Sequence, residues 1–359
     1  MVDRPRNPID LPTTYEQWLA AEQIPVTHGF HVPDLNAVEV APWPRKGALG
    51  ARIALDGTAQ TNDAYVCEIP PRGEVTPQRH LFEELIYVLR GRGATTVWND
   101  GPKQSFEWHE GSLFSVPLNI WHQHFNLQGD EPVRYIAVTN APFVMNLFHD
   151  LDFVFNNGYV FQSRFRGEED YFSGKANFYP DRVLETNFVA DVPSFPLMDW
   201  QARGAGGKNV KFELANNTMA AHVSEFPVGT YKKAHRHGPG AHVIIIGGKG
   251  YSLLWPEGQQ RRRVDWQVGS MFVPPERWFH QHFNSGATPA RYLALRWGSR
   301  KFKLPSMWDE DKLEIDMRAG GDQIEYEDED PQIRRLFEEE CRRSGAELRM
   351  PPVARRARA

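Results

Sequence analysis

A chain of 359 residues is long enough for two domains of ordinary size, each burying its own core. Apolar residues at 41% and charged residues at 24% place it among soluble globular proteins and exclude the disordered, collagen-like and membrane-spanning classes. A formal net charge of -5 supplies no basic surface, so nucleic acid is not an expected partner.

Residues 1–60 are Pro-rich and mixed and read as an N-terminal arm, with one helix over Thr14 to Glu22 that Thr13 can cap. From Asn62 the texture changes to short β-rich runs, AYVCEIP, ELIYVL, ATTVWN and PVRYIAVT, broken by Gly, Pro, Asn and Asp. An all-β domain over 61–145 is predicted. Residues 146–210 form a connection expected to carry a short helix and extra strands, because a structureless loop of that length is rare in a compact protein. A second β-rich domain covers 211–304, and 305–359 is a tail. Within the tail, Pro331 and Gly345 bracket a helix over Gln332 to Ser344, and the basic end VARRARA is expected to fray. The first residues lack an export signal, no apolar run reaches bilayer-spanning length, and Cys67 and Cys341 cannot build a disulfide framework. A cytoplasmic protein with no membrane partner is expected.

The chain repeats itself. GSLFSVPLNIWHQHFN at 111–126 returns as GSMFVPPERWFHQHFN at 269–284, and QRHLFEELIYVLRGRG from Gln78 returns as HRHGPGAHVIIIGGKG from His235. Strand alternation places His235 and His237 on one face with Arg236 opposite, and the repeat sets His280 against them. Three imidazoles so arranged suit a divalent metal and leave coordination positions open for a chelating substrate and a further ligand.

These paired motifs resemble the two-motif signature of the cupin superfamily. The resemblance implies two tandem jelly-roll barrels, with metal on two histidines and a glutamate of the first motif and a histidine of the second. In the second copy those positions are His235, His237, Ala241 and His280, so alanine replaces the glutamate. With that departure the HRHxxxA wording resembles the gentisate, salicylate and hydroxynaphthoate ring-cleaving dioxygenases, which bind Fe(II) on three histidines. What this implies is an Fe(II) dioxygenase cleaving a hydroxylated aromatic carboxylate, with that substrate and O2 as small-molecule partners and association into a homo-oligomer. The alternatives are a non-oxidative metal-dependent isomerase or lyase, with Mn, Ni or Zn in place of iron, and a non-catalytic binding bicupin. In the first copy the same positions are Gln78, His80, Glu84 and His122. Two readings stand there: a degenerate barrel kept for packing, or a two-histidine, one-carboxylate metal set on His80, Glu84 and His122.

Other residues are weighed around this frame. His242 becomes a fourth ligand if a bulge re-aims it; otherwise it stands behind the ligands or is structural. His282 shares a face with His280, and it and Gln281 can supply hydrogen bonds or acid–base chemistry behind the metal. Their recurrence as His124 and Gln123 supports a structural role equally. Arg296 is assigned to grip a substrate carboxylate and Trp255 to face a planar ring. The run Arg261, Arg262, Arg263 reads as a solvated hairpin tip. No nucleophile elbow, phosphate-binding loop or dinucleotide motif competes with the metal reading.

Overall fold

The computed structural model describes residues 11–99, 101–304, 312–354 and 356. The start of the expected arm and most of the basic end, expected to fray, lie outside these residues.

Two β-barrels stand side by side, each a large sheet closed by a small one. The first large sheet runs in the order Val26–Gly29, Ala48–Leu55, Asp63–Ile69, Val133–Thr139, Glu84–Arg90, Leu113–Ser115 and Phe188–Val189. Its small sheet is Trp121–Asn126, Arg92–Trp98 and Gln104–His109. The second large sheet contains Lys208–Glu213, Met219–Phe226, Ala290–Trp297, His242–Gly247 and Met271–Phe272 in that order. Its small sheet orders Arg262–Gln267, Lys249–Trp255, Phe279–Phe283, Ala234–His235 and Gln323–Ile324.

Burial explains why the central strands read as unbroken apolar runs. On Val133–Thr139, Tyr135 and Ala137 point into the first barrel beside Tyr65 and Trp108, while Ile136 and Val138 join Leu293 and Leu295 of the second barrel in a shared core. Both faces of each large sheet are therefore covered, and alternation disappears from the sequence. The small sheets keep one wetter face, so Arg92–Trp98 alternates in burial.

The repeats begin earlier than the β-rich runs suggest. Val26–Gly29 pairs in parallel with Ala48–Leu55, and Val183–Glu185 pairs in parallel with Lys208–Glu213 at the corresponding place in the second copy. The residues read as an arm and as a connection thus carry the opening strands of the two repeats. They are also exchanged: His31–Val32 pairs with Met271–Phe272 of the second barrel, and Phe188–Val189 with Leu113–Ser115 of the first. Strands of two to four residues leave too little periodicity to read from sequence.

Helix Thr14–Glu22 starts on a capping box between Thr13 and Glu16. Helix Pro331–Ser344 is capped by Asp330 and ends at Gly345 in the left-handed region. It lays Phe337 and Cys341 against Tyr231, Tyr251 and Phe283 of the second small sheet. The arginine run is no bare hairpin tip: Arg261 pairs with Asp330 at 2.7 Å and Arg263 with Glu340 at 2.8 Å, tying that helix down. Among the described residues no helix is long and apolar enough to cross a membrane.

Candidate functional site

In the second barrel the sequence GPG–AHVIII turns the chain from a short strand into a buried one, and His235 and His237 lie just before that turn. His235 lies directly opposite His280 on the adjacent antiparallel strand, and His237 follows two residues later. One ligand atom from each of the three histidines lies within 4.8 Å of the others. Ring centroids of His235 and His237 stand 4.1 and 4.5 Å from that of His280. His237 Nδ1 meets the Gly238 carbonyl at 2.7 Å, which assigns the proton to Nδ1 and the lone pair to Nε2. Burial pushes His235 and His237 well below the ordinary histidine range and His280 down to about 3, so all three stand neutral, as ligation requires.

These histidines open onto a cavity of about 50 Å³ that also meets Trp200, Arg203, His222, Tyr292 and Arg296. Arg296 is 3% exposed; its Nε donates to His222 Nδ1 at 2.9 Å and its Nη1 to the Trp297 carbonyl at 2.7 Å. Arg203 is equally enclosed and donates from Nη1 to the Leu313 carbonyl and to Gln323 Oε1, both at 2.8 Å, pinning the C-terminal segment across the opening. Among the described residues lining this cavity, Glu314 carries the one carboxylate, which accepts from Trp200 Nε1 at 2.8 Å.

The first barrel, for which a degenerate core was one reading, brings a second donor set together. Ligand atoms of His80, Glu84 and His122 also lie within 4.8 Å of one another. His80 Nδ1 and His122 Nδ1 are held by the carbonyls of Phe82 and Ile120 at 2.8 and 3.0 Å. His80 Nε2, His122 Nε2 and Glu84 Oε2 are left buried with no hydrogen-bond partner, three acceptors converging on one point. Such a set fits a divalent cation. Burial would raise the Glu84 carboxyl, but Lys46, His80, His122 and the Tyr65 hydroxyl outweigh it and hold it at about 2. Gln78 stands where the second barrel has His235 and bridges His122 through the backbone.

His282 reaches the cavity, yet its Nδ1 is engaged by Ser252 Oγ at 2.8 Å, and Trp266 Nε1 donates to the same hydroxyl at 2.9 Å. The first barrel repeats this chain as Trp108, Thr95 and His124. Gln281 points the other way, donating from Nε2 to the Lys232 carbonyl and to Glu329 Oε2, so it fastens the C-terminal segment. Trp255 is not at the cavity; it packs with Phe279 and Phe337 under the C-terminal helix, because its position on Lys249–Trp255 faces outward. His242 is likewise outside the ligand group. Ala241 lines the cavity, alternation turns His242 away, and its Nδ1 lies 3.2 Å from the Gly240 carbonyl.

Sequence reasoning passed over Arg203, Lys211, His222 and Tyr292. The last three lie on cavity-facing positions of large-sheet strands, as does Arg296, so the period of two running back from Arg296 through Ala294 to Tyr292 was the available signal. Arg203 comes from residues 146–210, read as the connection between the two β-rich domains.

Residues 65–139 match the family model described as the Cupin domain. Among solved structures, the chain is similar to a formate complex of Lactobacillus farciminis oxalate decarboxylase at 15% identity, covering 74% of this chain and 85% of that one with a TM-score of 0.49. It is similar to Bacillus subtilis oxalate decarboxylase, studied for its Mn(II) centres, at 15% identity, 74% and 76% coverage and a TM-score of 0.48. Vicilin from Corylus avellana (hazelnut) matches at 12% identity, 74% and 84% coverage and a TM-score of 0.48.

Proposed function

We propose that this bicupin is a metal-dependent enzyme whose second barrel binds a small carboxylate substrate beside a divalent cation on His235, His237 and His280. The observation that carries this reading is that the three-imidazole donor set and two guanidiniums line one buried cavity. Ala241 occupies the glutamate position, so the ligands are three neutral imidazoles, while Arg203 and Arg296 lie 2% and 3% exposed in the same cavity. Guanidiniums beside a divalent cation suit a carboxylate ligand, which can take charge-assisted hydrogen bonds from the arginines and an oxygen contact from the metal.

When bound, the metal supplies Lewis acidity toward a substrate oxygen, or redox chemistry if it is Fe(II). The chain's own part is placement. His222 Nδ1 accepts a hydrogen bond from Arg296 Nε and the Trp297 carbonyl accepts one from Nη1, so the guanidinium plane is set before substrate arrives. Arg203 and the Leu313 to Gln323 segment it holds restrict water at the opening.

The reading we place first is a non-oxidative isomerase or lyase using Mn, Ni, Zn or Fe(II), because binding a carboxylate beside the cation requires no dioxygen. The Fe(II) ring-cleaving dioxygenase is the second reading, favoured by Trp200 and Tyr292, whose rings line the cavity and suit a planar substrate. Metal analysis of the purified protein, followed by turnover screens of carboxylates with and without oxygen, tests both. Turnover that persists under strict anaerobiosis supports the first, and oxygen uptake coupled to a hydroxylated aromatic carboxylate supports the second. A protein that takes up no metal after reconstitution would defeat both.

A further inference from the structure

Lys232 is 1% exposed, and no carboxylate among the described residues pairs with it. Its ammonium donates to the Tyr292 hydroxyl at 3.1 Å and otherwise meets the faces of Tyr292, Phe226 and Trp200 at 4.6, 5.2 and 5.4 Å. The duplicate carries its own buried ammonium at a different position, Lys46, which donates to the Tyr65 hydroxyl at 2.7 Å. Tyr292 pairs across the sheet with Ser224 as Tyr135 pairs with Cys67, and counting back by the same repeat sets Lys232 on Val75, an apolar core residue with no exposure. An unpaired ammonium in place of a core valine is a cost to folding, and it stands against the one tyrosine hydroxyl that lines the candidate metal cavity.

We propose that Tyr292 and Lys232 form a proton-relay pair, in which Tyr292 Oη takes a proton from substrate in the second-barrel cavity and later returns it. The step balances within the pair and the substrate. The substrate's O–H or C–H bond breaks, its electron pair stays on the substrate, and a new O–H bond forms on Tyr292. Lys232 keeps its protons and steadies the phenolate before transfer. Return of the proton to the product restores the starting state. Burial would raise the Tyr292 hydroxyl, but Lys232, the hydroxyl of Ser224 and Arg203 outweigh it and hold it below the ordinary tyrosine range. The other titratable side chains facing the ring are His222 and His282, at centroid distances of 5.9 and 5.2 Å, and burial keeps both neutral.

The relay rests on the proposed active site, but its test reads the tyrosine itself. Ultraviolet difference titration of the full-length protein should show one tyrosine equivalent ionising below the usual range of about 10. Tyr292→Phe should remove that equivalent, Lys232→Met should move it to higher pH, and Tyr135→Phe, in the duplicate, should leave it in place. Wild-type protein with no early phenolate, or a Tyr292→Phe variant that keeps it, would overturn the relay. If Tyr292→Phe fails to fold, the shift in Lys232→Met decides. Metal content measured on the same samples separates the two ideas: metal without an early phenolate defeats the relay alone, and an early phenolate in a chain that binds no metal defeats the active-site reading alone.

Discussion

His235 and His280 sit directly opposite one another on adjacent antiparallel strands, with ring centroids 4.1 Å apart. In the first barrel the same cross-strand pair is Gln78 and His122. Two substitutions, Gln78 for His235 and Glu84 for Ala241, therefore separate the two-imidazole, one-carboxylate set from the three-imidazole set.

The two donor sets lie in separate barrels, so metal stoichiometry should fall in single steps. The reconstituted chain is expected to bind two divalent ions. His237→Ala should lose the second-barrel ion and Glu84→Gln the first, each keeping the other, with inductively coupled plasma spectrometry as the measurement. Any activity should vanish with His237→Ala and largely survive His80→Ala. Full metal occupancy in His237→Ala would refute the ligand assignment, and complete loss of activity in a folded His80→Ala would move the active site to the first barrel.

Arg296 should matter for anion binding and little for the metal. Arg296→Met is expected to weaken binding of a carboxylate ligand by about tenfold to hundredfold, the size of a lost charge-assisted hydrogen bond of about 1.5–3 kcal/mol. Arg296→Lys should recover only part, since an ammonium cannot replace a planar fork held by His222. Calorimetric titration of the metal-loaded variants measures this, and unchanged affinity in Arg296→Met would remove Arg296 from the binding site.

Ser252 and Thr95 perform one task in two barrels, and each is the other's control. Ser252→Ala leaves Trp266 Nε1 and His282 Nδ1 without their shared partner, which should cost about 2 kcal/mol or more. Ser252→Thr should be close to neutral because Thr95 already joins Trp108 to His124 in the same way. Denaturant unfolding of the two variants is the comparison, and equal loss in both would show that packing, not the hydroxyl, is what counts.

Acid should destabilise the metal-free protein from mildly acidic pH. Burial holds His80 and His280 at about 3 and His122 and His242 at about 4, against about 6.5 in an unfolded chain. The unfolded state takes up protons first as pH falls. The stabilisation is complete above about 6.5 and is lost progressively down toward 4, by about 1.4 kcal/mol per unit for each such histidine. Glu84, held at about 2, adds a loss confined to the more acidic region below the ordinary glutamate value. Urea midpoints at about pH 7.5 and about pH 5 test this, and equal midpoints would contradict neutral burial.

Much of this was legible because the chain contains its own comparison. The shared HQHFN ending paired His280 with His122, and the offset between copies then set Ala241, not His242, at the glutamate position. Alternation within the motif strands was a sound guide to which histidines face inward. What escaped was supplied by tertiary context. Trp255 and Trp200 are both tryptophans in β-rich sequence, and only the wrapping of the C-terminal helix around one barrel decides that the first is core and the second lines the cavity. Lys232 could have been noticed against Val75, but a lysine invites a solvent-facing reading until burial is known. The opening strands went unread because two to four residues of extended chain carry no pattern.

The exchange of His31–Val32 and Phe188–Val189 has a consequence for ancestry and for dissection. Each barrel's sheet is completed by a strand that belongs, by repeat, to the other. That is the topology of a strand-swapped homodimer of single barrels whose two chains have been joined end to end. A cut between the repeats should accordingly yield halves that are each missing an edge strand, poor folders alone and mutually complementing when expressed together.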